Sequence, residues 1–361
     1  MGLITTLMER RATIEGPLPL TAQRIIEWLT GEPTAAGIPL NQAGSLKLAA
    51  VWASVRVISE DIASLPLITY RRLDRGKERA TAHRLYRLLH DEPNPFMTAM
   101  QFRETLQGHV LLWGNGYANI ERDEDGAPIA LWPLRPDRMD TPVVSEAGML
   151  LYRYHMPSGE PRSLTQSEVF HLRGLSPDGI IGYSPITLHR QSLALSLALQ
   201  EYGARFFGND SRPGGILQAK TKLSKEAADR MKASWETAHQ GLAKAHRVAV
   251  LEEGVEWKQV GIPPEDAQYL ESRRFQISEV ARIFRMPPHK IQDLERATYS
   301  NVEEQSISYV SDTLRPWLVR WEQQSNKDLL MPSERGRIFC EHLMDALLRG
   351  KTLERFQAYQ L

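Results

Sequence analysis

Apolar residues recur at three- and four-residue steps through the long stretches of this chain, and at alternate positions in the short stretches between them. From Ser45, the positions Leu48, Val51, Trp52, Val55, Val57, Ile58 and Ile62 predict a helix ending near Leu65-Pro66. Leu67 to Arg72 alternates as a strand, with Asp74-Arg75-Gly76-Lys77 as its hairpin turn. A short helix follows over His83 to His90, Glu92-Pro93-Asn94-Pro95 breaks the pattern, and Thr98 caps a helix running through Trp113. Gly114-Asn115-Gly116 stops it. Tyr117 to Arg122 and Ile129 to Leu134 predict strands around Asp125-Gly126, a favoured hairpin turn, and further strands are expected at Leu150 to His155 and Val169 to Leu172. The first half therefore reads as α+β with an antiparallel sheet.

The second half is built from rods. Ser184 as N-cap and Pro185 at the first helical position launch one through about Phe207, apolar on several sides (Leu188, Leu195, Leu199, Tyr202, Phe206). Such a rod must be flanked by neighbours, other subunits among them. A loop over Gly208 to Gly215 leads to a compact insert: strand Ile216 to Ala219, helix Ser224 to His239, and strands Arg247 to Leu251 and Val255 to Val260. Pro263-Pro264 then open a second rod that is halted at Pro287-Pro288, with Glu265 and Asp266 in its first turn and Arg282 and Arg285 near its close. From Pro264 to Arg285 it would span about 33 Å. A polar connector follows. Ser300-Asn301-Val302-Glu303 is a capping box for a third rod. Pro316 in its interior removes a helix hydrogen bond and crowds the carbonyl of Asp312, which predicts a kink; the alternative is two helices divided near Leu314. Rod, knob and rod make a stalk with a tip. Residues 1–45, rich in Pro, Gly, Ala and Thr, read as a loosely held arm with one amphipathic piece from Thr21 to Leu29.

Composition narrows the function. With 361 residues the chain has material for two or three domains, and its 44 basic and 44 acidic residues cancel. A tight, salt-sensitive nucleic-acid binder is disfavoured, whereas a surface past which nucleic acid slides is not. The single cysteine, Cys340, excludes an intrachain disulfide framework, and no apolar run reaches the length of about 20 residues needed to span a bilayer. Met1 to Arg11 lacks the apolar core of a secretory signal.

Chemistry is hard to find. No Walker-type phosphate loop, paired-cysteine motif or HExxH occurs, and the ten histidines lack metal-ligand spacing, so neither cofactor nor metal is expected. Asp123, Asp125 and Gly126 are a solvated hairpin tip rather than a calcium loop. Gly182-Tyr183-Ser184 sits at a strand-to-helix turn, but Pro185 is wrong for a nucleophile elbow and a helix cap explains the serine. His171 reads as a hydrogen-bonded structural histidine, and Trp317 and Trp321 as packing residues on one helix face. In the connector, Lys290 and Arg296 are suited to touching a phosphate backbone, and Asp293 and Glu295 beside them keep the loop nearly neutral.

Taken in order, these elements resemble the portal proteins of long-tailed double-stranded DNA phages, also found in prophages and gene transfer agents. The residues that carry the likeness include Val51-Trp52-Ala53-Ser54-Val55-Arg56-Val57-Ile58-Ser59 with Ile62-Ala63-Ser64-Leu65-Pro66, Pro93-Asn94-Pro95 and Trp113-Gly114-Asn115-Gly116-Tyr117. They continue through Tyr183-Ser184-Pro185, Phe206-Phe207-Gly208-Asn209 and Arg212-Pro213-Gly214-Gly215. The most specific are Gln276-Ile277-Ser278-Glu279-Val280-Ala281-Arg282-Ile283-Phe284 with Pro287-Pro288, then Tyr299-Ser300-Asn301 and Leu314-Arg315-Pro316-Trp317.

The resemblance implies a portal fold: an N-terminal arm (1–44), an α+β wing (45–182), stem helices (183–211 and 263–286), a small α/β clip (212–262), a tunnel loop (287–299), a kinked tunnel helix (300–330) and a wing return with the start of a crown (331–361). Family members commonly carry further helical residues after the stretch matching Leu347 to Tyr359, so a minimal crown or a truncated chain is expected here. It also implies a homo-dodecameric ring at one capsid vertex, a conduit for DNA packaging and ejection that is not an enzyme and is assembled in the host cytoplasm. Its partners would be double-stranded DNA without sequence specificity, the terminase large subunit, the major capsid protein and a head–tail adaptor, with no membrane. The DNA-facing loop residues would be His289, Lys290, Gln292, Asp293, Glu295 and Arg296; Pro316 would be the kink, Ser184, Pro185, Pro263 and Pro264 the stem caps, and Ser300 and Glu303 the tunnel-helix cap. Another connector ring of the head–tail junction, or a hydrolase resting on Ser184 and His171, are the competing readings.

Overall fold

The computed structural model describes residues 34–208, 215–218, 225–226, 229–230, 256–259, 266–292 and 305–344. After a four-residue turn of helix, α1 (Gln42–Ser45), the first long helix is α2 (Ala49–Ser64), which begins one turn later than the apolar pattern from Ser45 predicts. Strands β1 (Leu67–Arg72) and β2 (Lys77–Arg79) form a hairpin, followed by the single turn α3 (Arg84–Tyr86), which widens to a π-helix over Arg87–Asp91. Helix α4 (Ala99–Trp113) opens with a capping box between Thr98 and Gln101 and closes at Gly114, which takes φ 77°. Such a left-handed turn is open to glycine at no steric cost.

The strands β3 (Asn115–Arg122), β4 (Pro128–Leu134), β5 (Val143–Val144), β6 (Leu150–His155), β7 (Pro161–Thr165) and β8 (Val169–Arg173) build two antiparallel sheets, ordered β4-β3-β8 and β5-β6-β7. Two helices follow, α5 (Pro185–Leu188) and α6 (Arg190–Gly208), then the paired strands β9 (Gly215–Gln218) and β10 (Glu256–Gln259) and the helix α7 (Asp266–Phe284). The last elements are α8 (Arg315–Asp328), directly preceded by a π-helical turn over Tyr309–Leu314, and β11 (Ile338–His342). β11 pairs with β1 from Leu67↔His342 to Arg71↔Ile338, so the far end of the described chain completes the first sheet. The expected helix Ser224 to His239 and strand Arg247 to Leu251 fall largely outside the described residues.

A large core joins the helices and the first sheets, and a smaller one of Tyr117, Tyr152, Tyr154, Leu164 and Val169 lies under β6 and β7. Val51, Ile58 and Ile62 of α2, Phe102, Leu106 and Val110 of α4, and Leu318 and Trp321 of α8 are buried together. Trp321 is fully buried, with its ring 6.3 Å from Phe102 and 5.6 Å from Phe170, and its Nε1–H donates to Gln107 Oε1 at 2.9 Å. Both needs of an indole are met, apolar burial for the rings and an acceptor for the N–H.

Two expectations about the rods are corrected. The rod expected to run unbroken from Ser184 to about Phe207 is interrupted at His189, which leaves the helix at φ −103°, ψ 20°. The segment before α2 grips both sides of this break: Gln42 Nε2 reaches Thr187 Oγ1 at 3.2 Å, and Gln191 Oε1 accepts the Ala35 N–H at 3.0 Å. At Pro316 the chain neither divides near Leu314 nor leaves the helical region, since Leu314 and Arg315 both keep αR dihedrals. The missing N–H and the crowding of the Asp312 carbonyl are absorbed in the π-helical turn just before the proline.

Candidate functional site

The rods leave the sheets at a tight crossing. Asn115 is its pivot: Nδ2 donates to the carbonyls of Trp113 (3.1 Å) and Gly182 (3.0 Å), while Oδ1 accepts the Gly182 N–H at 2.8 Å. A Cβ on Gly114 would overlap the Tyr183 carbonyl, and one on Gly182 would overlap the Gly114 carbonyl. Just beyond, Ser184 is the N-cap of α5, accepting the Thr187 N–H at 3.1 Å and donating to the Leu112 carbonyl at 2.7 Å, with Pro185 in the first turn. The cap therefore also ties α5 to the end of α4.

His171 braces the crossing from below. It is fully buried, with Nε2 3.0 Å from Asn115 Oδ1 and Nδ1 3.2 Å from the Tyr152 hydroxyl. The assignment that satisfies both contacts is a neutral ring donating from Nε2 and accepting at Nδ1. Burial, then the nearby Arg173 and Lys327 charges, hold its pKa well below the ordinary value. Burial likewise lowers His342, against the opposing pull of Glu322, and takes His109 down to about 4.

These histidines bind protons in the unfolded chain at a pH where the folded one refuses them. Stability is then full above about pH 6.5 and falls as the pH drops below it, with a slope of up to about 1.4 kcal/mol per pH unit for each histidine. For His109 the loss continues down to about pH 4. Denaturant unfolding between pH 7.5 and pH 5 tests this, and His171→Gln is expected to flatten the curve.

Helices α6 and α7 run antiparallel with a polar seam between them. Ser192 Oγ donates to Glu279, Ser196 Oγ to Gln276, and the Tyr269 hydroxyl to the Leu199 carbonyl. Gly203 makes room for this last contact, since a Cβ there would overlap the Tyr269 hydroxyl. Large apolar side chains on these helices also stay half exposed: Leu195 at 47%, and Phe275 at 52% with the Arg282 guanidinium 5.6 Å from its ring centre.

α7 ends in a Schellman motif: Met286 N–H donates to the Ala281 carbonyl and Arg285 N–H to the Arg282 carbonyl. Arg285 occupies the left-handed position, φ 53°, where glycine is usual, and Thr313 Oγ1 in the π-helical turn donates to its carbonyl at 2.6 Å. Gln292, at φ 65°, is the other left-handed non-glycine residue among those described. The segment between them is held at both ends by conformations that cost about 1–2 kcal/mol each.

Within that segment, Pro288–Ile291 forms a 3₁₀ turn against α2. The Tyr309 hydroxyl donates to Asp61 Oδ2 at 2.9 Å, Lys290 Nζ stands 3.9 Å from the same oxygen, and the ammonium lies 4.9 Å from the centre of the Tyr309 ring. Burial and then the Asp61 charge raise the Tyr309 phenol far above its ordinary range, so it stays a donor. His289 contacts the helical segment before the π-helical turn, with Nδ1 3.0 Å from Gln305 Oε1 and Nε2 3.4 Å from Ser306 Oγ.

Of the residues expected to face DNA, His289 and Lys290 are half-buried. Both are engaged in fastening the connector's base to α2 and to the helix that follows. Gln292 is exposed. Asp293, Glu295, Arg296, Ser300, Glu303, Pro263 and Pro264 lie outside the described residues. Asp61, Tyr309 and Thr313 were not legible as members of this cluster. Tyr309→Phe is expected to cost about 1.5–3 kcal/mol, the net value of a hydrogen bond to a charged group, measured by urea unfolding.

Among the described residues no cluster of His, Cys, Asp or Glu suits a metal ion, and no helix is long and apolar enough to cross a membrane. What the geometry offers is mechanical: a tight crossing, two helices joined by a polar seam with Leu195 and Phe275 about half exposed, and a clamped segment between Arg285 and Gln292.

The sequence profile described as "Phage portal protein" matches residues 49–361. This chain belongs to the phage portal protein family. It is 34% identical over 321 residues to the portal protein of Enterobacteria phage HK97, covering 88% of this chain and 75% of the relative. It is also 34% identical over 345 residues to the probable portal protein of Streptomyces phage phiC31, covering 92% and 74%. Its fold is similar to a chain in the neck of a native gene transfer agent particle computed with C12 symmetry, with a TM-score of 0.66 at 25% identity over 99% of this chain and 94% of that one. The chain is a portal protein, a component of a head–tail connector ring, and the family is a structural one.

Proposed function

We propose that twelve copies close into a ring at one capsid vertex and pass double-stranded DNA through its centre during packaging and ejection. The observation that carries this is the state of α6 and α7. Their mutual contact includes serine, glutamate, glutamine and tyrosine side chains, while Leu195 and Phe275 stay about half exposed. A head-to-tail contact that closes by rotation covers such surface with the next subunit's rods. In this reading α6 and α7 are the stem, the residues between them carry the clip, and the connector after Gln292 is the tunnel loop.

The clamp of Asp61, Tyr309, Lys290 and His289 supports the loop reading, because a segment that borders moving DNA needs a fixed base. The balanced net charge supports passage rather than retention, since neutralising many phosphates would make a deep binding well. The terminase large subunit, the major capsid protein and the head–tail adaptor are the partners this role needs, with assembly in the host cytoplasm. Contact with the DNA backbone falls to Arg296 rather than Lys290, and Arg296→Ala is expected to leave the ring intact while changing the amount of DNA packaged.

Leu195→Glu with Phe275→Glu tests the stem directly. Both positions are exposed in the single subunit, so monomer stability is expected to change by less than about 1 kcal/mol. Ring formation is expected to be lost. A double variant that still assembles like the wild type would overturn the assignment.

A further inference from the structure

The hairpin of β1 and β2 departs from the charge balance of the whole chain. From Arg71 to Arg79 it carries five basic residues and two acidic ones. Strand register sorts them onto faces, because residues directly opposite across an antiparallel pair point to the same side. Tyr70↔Arg79, Tyr70↔Phe339 and Arg72↔Lys77 therefore share one face of the β11-β1-β2 sheet. Arg337, next before β11, lies opposite Arg72, whose N–H donates to its carbonyl at 2.7 Å. Arg72, Lys77, Arg79 and Arg337 are all exposed. Among the described strand residues of this face the one carboxylate is Glu341, which pairs with Lys77. Arg71 and Glu78 alternate to the other face and pair with each other.

Aromatic rings lie beneath the cations. Tyr70 and Phe339 stack with centroids 5.7 Å apart. The Arg72 guanidinium is 5.2 Å from the Phe339 centre, and the Lys77 ammonium 4.5 Å from the Tyr70 centre. Such contacts hold the charges in place. No strand residue of this face is an exposed large apolar group. A protein partner is ordinarily anchored by aromatic or aliphatic groups in pockets, and here there is fixed charge without an anchor. Cations on an edge strand also guard against stray pairing, but that explains β2 alone, and Arg72 lies on the central strand. Arg337, Arg72 and Lys77 form a row across the sheet at about 5 Å per step, with Arg79 about 7 Å along β2. A flat array on this scale suits a polyanion whose charges recur every few ångströms, as duplex phosphates do.

We infer that this face binds the phosphate backbone of double-stranded DNA, without reading its sequence. The inference rests on the reading that the ring handles duplex DNA and extends it, because none of the four cations belongs to α6, α7 or the connector. The contact in one copy is weak and salt-sensitive, and copies held in a ring add to one another.

Binding of a short fluorescent duplex to the purified chain, between about 50 and 200 mM salt, tests this. The Arg72→Gln, Arg79→Gln, Arg337→Gln variant is expected to bind at least about tenfold more weakly at the lower salt, with the slope of log K against log salt reduced by about 2 to 3. Arg72→Lys, Arg79→Lys, Arg337→Lys keeps the charge and is expected to stay within about threefold of wild type. So is the charge-matched Arg71→Gln, Arg84→Gln, Arg87→Gln variant, whose cations already face Glu78, Asp123 and Glu92. Equal binding by the first variant and wild type, equal loss in the lysine variant, or no binding by wild type would overturn the inference. So would polyglutamate binding more tightly than the duplex, which would assign the face to an acidic polypeptide. Native mass read on the same samples keeps the two readings apart. Rings that ignore the duplex would count against this inference alone, and monomers that bind it through this face against the ring alone.

Discussion

Replacing Arg103 with methionine is expected to cost the fold about 3–5 kcal/mol. Arg103 is 5% exposed and has no carboxylate partner among the described residues. Its Nε and one terminal nitrogen donate to the Ala63 carbonyl at 3.3 and 2.8 Å, and the other terminal nitrogen donates to the Leu89 carbonyl at 2.6 Å. Both carbonyls lie at helix ends, the close of α2 and the π-helical turn after α3, where acceptors are orphaned and the helix dipole is negative. Burial lowers the guanidinium only to about 10, so it remains charged at neutral pH. Methionine fills much of the volume but leaves both carbonyls buried without a donor. Lysine keeps the charge yet cannot fork to two acceptors, and is expected to recover about half the loss. Urea unfolding of the two variants reads this directly, and a methionine variant within 1 kcal/mol of wild type would show that the fork is dispensable.

Gly182→Ala and Gly114→Ala are each expected to cost about 3 kcal/mol or more, because their Cβ atoms would meet backbone that cannot rotate away. Each would overlap a carbonyl oxygen across the crossing, and Gly114 is left-handed as well. Forcing the strands apart would pull Asn115 from Gly182 and disturb the start of α5. Gly126→Ala is the control. That glycine is also left-handed, at φ 81°, but nothing lies within 4 Å of a Cβ built there. Its cost is expected to be about 1 kcal/mol, the conformational penalty alone. If all three variants lost the same stability, steric closure of the crossing would be refuted.

Much of the fold was readable because local rules and tertiary demands agree. Thr98, Gly114 and Asp125-Gly126 each dictate a boundary by their own chemistry, and α4, β3 and β4 form where those signals place them. β11 was not foreseen. Its inward residues are Ile338, Cys340 and His342, and the last of these weakens the apolar alternation that marks a strand. The break at His189 was equally hidden, since its cause is the grip of Gln42 and Gln191, contacts set by tertiary structure rather than by helix periodicity. The π-helical turn before Pro316 is a subtler case. The proline announced a disturbance, but not that it would include a π-helical turn.

The candidate site was legible in its outline and not in its side chains. Paired prolines and the capping serine mark where the loop and rods begin and end. That Lys290 is held by Asp61 and Tyr309 cannot be read from a sequence in which Asp61 lies more than two hundred positions away. The same applies to Arg103, whose acceptors are backbone carbonyls and so carry no residue signature.

The central claim is that this chain closes a ring through its α6 and α7 faces. The native mass of the purified protein, measured with end-on images of the same fraction and in the presence of capsid shell protein, tests it most directly. The account predicts a closed ring of twelve subunits with a central hole, lost in the Leu195→Glu, Phe275→Glu variant while the subunit stays folded. A protein that remains monomeric under those conditions would contradict it.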